Sequence, residues 1–187
     1  LYNGYNLEPG LIKLMNATGG KVKKIPVGEV VISLKLDKGK GQIVPDPHVW
    51  GSAENVISMV KAIRDSLIEL SPEDKNKFTQ NAQKLTDELQ QLHIWILQEI
   101  QTIPADKRKL ITTHDAFQYY GSAYKIAIAG TLIGISTEEQ PSAQTVKKLV
   151  ESIKKIGVPA IFAETTINPA LIKIVAEEAG VKLAPTS

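Results

Sequence analysis

The chain has 187 residues, 43% hydrophobic and 22% charged, with 22 Lys and Arg against 20 Asp and Glu for a formal charge of +2. That length predicts one or two domains able to bury a proper core, and the composition excludes wholesale disorder. The absence of cysteine excludes disulfides, thiolate metal sites, iron–sulfur clusters and cysteine nucleophiles together. The near-balanced charge gives no support to a nucleic-acid binder, and no apolar run is long enough to span a bilayer.

Residues 1–5 suit the end of a buried strand, and Asn6-Leu7-Glu8-Pro9 suits entry into a helix. Leu11, Ile12, Leu14 and Met15 form a short helical stripe that Gly19-Gly20 should end. Residues 27–36, apolar and β-branched, predict a strand or two, followed by a polar glycine-bearing turn over 35–41. Pro45 and Pro47 force extended backbone around Asp46, so His48 falls in or just after a stiff loop. Ser52 is a plausible N-cap for a helix with Val56, Met59, Val60, Ile63 and Leu67 on one face.

Ser71-Pro72-Glu73-Asp74 carries the signals of a second helix: a cap, proline in the first turn, and acids at the positive end of the dipole. Its stripe of Phe78, Leu85, Leu89, Leu92 and Ile96 runs to about Ile100, with Pro104 beyond. A helix of that length, about 42 Å at 1.5 Å per residue, exceeds a small domain and predicts a rod tying two lobes together. The remainder alternates. Strands are expected at 110–113, 126–129, 159–163 and 181–184, with helices at 116–124, 142–156 and 169–179. Alternating β and α at these lengths predicts a parallel sheet, whose ligands sit beyond the carboxyl ends of strands. His114 and Glu164 each lie at such an end.

The histidines are His48, His93 and His114. His48 and His114 sit where rigid elements present a side chain, neutral imidazole is the commonest metal ligand, and Asp115 could orient a ring from behind. Their separation matches no local metal motif, so two ordinary histidines is the plainer reading of spacing alone. His93, inside the long helix, reads as structural or solvent-facing. Glu164 reads equally as ligand, base, bridging carboxylate or capping group. Glu138-Glu139 is most simply a solvated pair, and Lys147, Lys148, Lys154 and Lys155 mark the outer face of a helix. No dinucleotide glycine motif, Walker loop, GxSxG or HExxH is present.

Asn3-Gly4-Tyr5-Asn6-Leu7-Glu8, Asp46-Pro47-His48-Val49-Trp50, residues 114–120 (HDAFQYY), 137–142 (TEEQPS) and 161–164 (IFAE) occur in this order. Together they resemble the metal-binding solute receptors of bacterial ABC importers, the zinc and manganese periplasmic binding protein family. The resemblance implies an α/β fold: two lobes with parallel sheets joined by one long rigid helix, and a transition metal held between them. It divides the chain into 1–71, the remainder of an incomplete N-terminal lobe, a linker helix at 72–103, and a C-terminal lobe at 104–187.

It further implies that His48 and His114 are metal ligands, with Asp115 and Glu164 as possible supporting residues. Two more ligands are expected outside the chain, one before Leu1 and one shortly after Ser187, so the chain alone should bind metal weakly. The implied cargo is Zn²⁺ or Mn²⁺, with imidazole tilting the choice toward zinc. The implied partner is a membrane ABC permease, with no nucleic acid involved. The implied receptor is monomeric, periplasmic or lipid-anchored at the outer face of the cytoplasmic membrane, and no enzyme. The alternatives are a metal-dependent hydrolase with Glu164 as base, and a surface adhesin of the same fold.

Overall fold

A computed structural model describes residues 1–18, 20, 22–37, 41–134, 141–158, 160–164 and 168–184. The expected readings at Gly19, Glu138-Glu139 and Pro159 lie outside these residues. The chain divides into two compact units, Leu1–Gln98 and Glu99–Ser187.

In the first unit the chain opens with Tyr2 bridging Pro26 in parallel fashion, so only a fragment of the expected first strand forms. Helix α1 (Pro9–Thr18) starts at the proline as its signals require. The apolar run from Val27 does not form a strand at once. Residues Val27–Val30 wind into a 3-10 turn, because the N–H groups of Val27 and Gly28 are already taken by the carbonyls of Tyr2 and Asn3 at 2.9 and 2.8 Å. Strand β1 (Lys35–Asp37) pairs with β2 (Ile43–Pro45) in an antiparallel hairpin, so this ladder differs from the parallel pairing of the second unit.

Helix α2 (Ala53–Leu70) follows Ser52, whose backbone is extended as a cap requires although its hydroxyl makes no cap bond. A 3-10 turn at Pro72–Asp74 leads into α3 (Lys75–Gln101), an unbroken helix of 27 residues. Its inward line runs through Phe78, Ala82, Thr86, Leu89, His93 and Ile96, while Leu85 and Leu92 are each 43% exposed. The apolar stripe read from sequence is therefore rotated. Small and polar residues share this less exposed line with Phe78, Leu89 and Ile96 at spacings of three and four.

In the second unit β3 (Lys109–His114) pairs in parallel with β4 (Ala127–Ile133) across α4 (Gln118–Tyr124). Helix α5 (Ala143–Ile156) is capped by Ser142, whose Oγ accepts the Thr145 N–H at 3.1 Å, and stops at Gly157 in the left-handed region at φ 71°. Strand β5 (Ala160–Phe162) pairs in parallel with β6 (Lys182–Ala184) across α6 (Ala170–Ala179). Asn168 Oδ1 accepts the Ala170 N–H at 2.9 Å at the start of that helix. The core joins Ile111 and Leu132 of the strands to Leu149, Ile153, Ile172 and Val175 of the two long helices. The two hydrogen-bonded pairs, β3 with β4 and β5 with β6, stand side by side with β3 near β5. The carboxyl ends of parallel strands are where α/β proteins place their ligands, and His114 and Glu164 lie at the ends of β3 and β5. Among the described residues no helix is long and apolar enough to cross a membrane.

Candidate metal centre

His48 is set by its own tripeptide. Pro45 ends β2, and the Asp46 N–H continues the hairpin by donating to the Leu34 carbonyl at 2.8 Å. The Asn3 side chain donates to the Pro47 carbonyl at 2.9 Å, tying the loop to the chain start. Val49, wholly buried, begins a 3-10 turn at Val49–Gly51. Within this frame one oxygen of Asp46, Oδ1, accepts the His48 main-chain N–H at 2.9 Å and lies 2.8 Å from His48 Nδ1. Both side chains are buried. Trp50 meets the ring edge-on with centroids 5.4 Å apart.

His114 reaches the same arrangement by another route. It ends β3 after the buried run Ile111, Thr112, Thr113. Glu164, just past β5, accepts the His114 main-chain N–H through Oε1 at 2.9 Å and pairs with His114 Nδ1 through Oε2. The Glu164 N–H in turn donates to Thr113 Oγ1 at 3.3 Å. The end of β3 and the loop after β5 thus clasp each other.

An ionised carboxylate only accepts hydrogen bonds, so in a neutral ring each Nδ1 carries the proton and Nε2 the lone pair. That tautomer suits a metal bound through Nε2, with a carboxylate behind the ring fixing its orientation and raising its basicity. Of the two acids read as possible supports, Glu164 touches its histidine. The Asp115 carboxylate instead accepts from Gln118 Nε2 at 2.6 Å, and its N–H donates to the Gly134 carbonyl at 3.1 Å. His93 is half-buried on α3, with Nε2 3.8 Å from Glu54 Oε2. Among the described residues no group of three or more His, Asp or Glu side chains is gathered as a ready metal cage.

Two residues behind His48 escaped the sequence reading. Asp46 stood between prolines in a segment that carries the resemblance but was given no role, although an acid two positions before a histidine is a local signal that it can reach the ring. Asn3 carried no such signal, being 44 positions from its partner.

Each unit of the chain thus holds one histidine whose Nδ1 faces a buried or half-buried carboxylate, an arrangement suited to metal ligation through Nε2. The family described as ZnuA, zinc-uptake complex component A periplasmic, matches residues 1–187. The manganese-binding lipoprotein MntA of Halalkalibacterium halodurans is 31% identical over 182 residues, covering 97% of this chain and 59% of its own length. The zinc-binding protein TroA of Treponema pallidum is 34% identical over 168 residues, covering 89% of this chain and 54% of its own. The solved structure of that periplasmic zinc-binding protein superposes with a TM-score of 0.88 at 30% identity, over 97% of this chain and 66% of the other. The laminin-binding protein Lbp of Streptococcus pyogenes superposes at 0.82 with 25% identity, over 100% and 70%. The chain belongs to the ZnuA family, and it spans between half and two thirds of the length of the curated relatives named here.

Proposed function

We propose that this chain is the metal-receiving part of an extracytoplasmic receptor that binds Zn²⁺ or Mn²⁺ and hands it to an ABC permease. His48 and His114 serve as nitrogen ligands through Nε2. Glu164 orients His114, and Asp115 supports the start of α4 through Gln118. The division of labour follows the same reading, with residues 1–71 and 104–187 as ligand-bearing lobes and 72–103 as their connection. The receptor works as a monomer, in the periplasm or on a lipid anchor, and performs no covalent chemistry.

The observation that carries this reading is the shared grip on the two histidines, in which a carboxylate takes both main-chain N–H and ring Nδ1 of the residue it serves. A hydrolase base would need a carboxylate poised toward water, whereas both oxygens of Glu164 are engaged by His114. The adhesin reading finds no residue here to argue from. Imidazole ligation favours Zn²⁺ over Mn²⁺ in affinity, while availability in the cell decides the cargo.

The test is a Zn²⁺ titration of the chain and its His48→Ala, His114→Ala and His93→Ala variants. Each of the first two should weaken binding at least about tenfold, and the third should change it little. X-ray absorption on the loaded chain should count the imidazoles per ion. Unchanged affinity in both His48→Ala and His114→Ala would overturn the reading.

A further inference from the structure

Resting on the reading of His48 as a metal ligand, we propose that Asp46 is its positioning residue. Asp46 holds the His48 ring with the proton on Nδ1 and so aims the Nε2 lone pair at the incoming cation. Asp46 is completely buried, and the same oxygen receives the main-chain N–H of His48 at 2.9 Å and faces its Nδ1 at 2.8 Å. Because both contacts belong to one residue, the ring is referenced directly to its own backbone, and rotation of the side chain breaks the second while the first stays.

The carboxylate is itself immobile. Proline stands on either side of Asp46, its N–H is bonded to the Leu34 carbonyl at 2.8 Å, and the Pro47 carbonyl is held by Asn3 at 2.9 Å. A buried carboxylate is costly unless paired, and a turn alone does not require one, since Asn or Ser closes the same local hydrogen bond without charge. The charge is therefore explained by the ring opposite it. His114 needs a partner 50 positions away and a folded sheet to obtain its grip, whereas Asp46-Pro47-His48 contains both halves of the device.

The test reads the tautomer and the affinity separately. Long-range nitrogen–proton NMR of the metal-free chain should show His48 protonated on Nδ1. In Asp46→Ala the ring should shift to the Nε2–H form, and Zn²⁺ affinity should fall by about 10- to 100-fold. In Asp46→Asn the amide oxygen can accept from both the His48 main-chain N–H and Nδ1, as Asp46 Oδ1 does. The Nδ1–H tautomer should then be kept, and the loss of Zn²⁺ affinity should be smaller than in Asp46→Ala. An Nε2–H tautomer in the parent chain would overturn the proposal. So would a folded Asp46→Ala variant binding Zn²⁺ within about threefold of the parent, which is well below the loss expected of such a residue. If Asp46→Ala does not fold, the parent tautomer decides. Failure of the ligand reading looks different: His48→Ala would then leave Zn²⁺ affinity unchanged. His48→Ala weakening binding while Asp46→Ala does not would overturn the positioning role alone.

Discussion

Adding one methyl group at Gly28 should destabilise the first unit and loosen the loop that carries His48. A Cβ at this position would lie 2.6 Å from the Asn3 carbonyl oxygen, 2.9 Å from Val49 Cγ2 and 3.1 Å from Asn3 Oδ1. Ordinary contact begins at 3.4 Å, so the two chain segments must part by roughly 0.8 Å, and a backbone oxygen has no rotamer through which to yield. The Gly28 N–H bond to that oxygen, now 2.8 Å, would stretch to about 3.6 Å and cease to be one. Overpacking costs about 1–3 kcal/mol and the lost bond about 1 kcal/mol, giving about 2–4 kcal/mol in all.

Both tryptophans, Trp50 and Trp95, lie in the first unit, so their fluorescence reports its unfolding selectively. For a urea slope of about 2 kcal/mol/M the midpoint of Gly28→Ala should fall by about 1–2 M. Gly130→Ala is the control: its Cβ would meet only the Leu149 Cδ1, at 2.8 Å, a side-chain methyl in the other unit, and the tryptophan transition should not move. A midpoint for Gly28→Ala within about 0.2 M of the parent would show that the Asn3 segment yields freely, and that the tie from Asn3 to Pro47 contributes little.

Ile153→Ala empties a wholly buried position and should cost about 2–5 kcal/mol by circular dichroism melts. Leu92→Gln, on the exposed side of α3, should stay within about 0.5 kcal/mol; equal losses for the two would contradict the rotated stripe. Burial, with Tyr124 beside it, pushes the Tyr120 hydroxyl above its usual 10.0. The folded state thus keeps its proton longer than the unfolded one, so this contribution is intact below about pH 10 and lost as pH rises through the folded value. Tyr120→Phe should lose less stability than the parent on raising the pH from about 9 to about 11, and identical losses would contradict the shift.

What the sequence determined by itself was whatever depends on neighbours a few residues apart. The start of α1 at Pro9, the Ser142 cap, and the ends of α5 and α6 at Gly157 and Gly180 are local decisions of hydrogen bonding and φ. The stiff loop at Asp46-Pro47-His48 is equally local, and the unbroken course of α3 follows from the absence of glycine and proline within it. Which side of α3 faces inward was not local. Leu85 and Leu92 have the hydrophobicity to be buried, yet the less exposed line runs through Ala82, Thr86 and His93. Which side of a helix is covered is set by its tertiary neighbours and not by its own pattern alone. The 3-10 turn at Val27–Val30 begins where the Val27 and Gly28 N–H groups donate to the carbonyls of Tyr2 and Asn3, more than twenty positions earlier. The pairing of Glu164 with His114 required β3 and β5 to become neighbours. A hydrogen bond acts over about 3 Å, and only the completed sheet brings those two strand ends within that range.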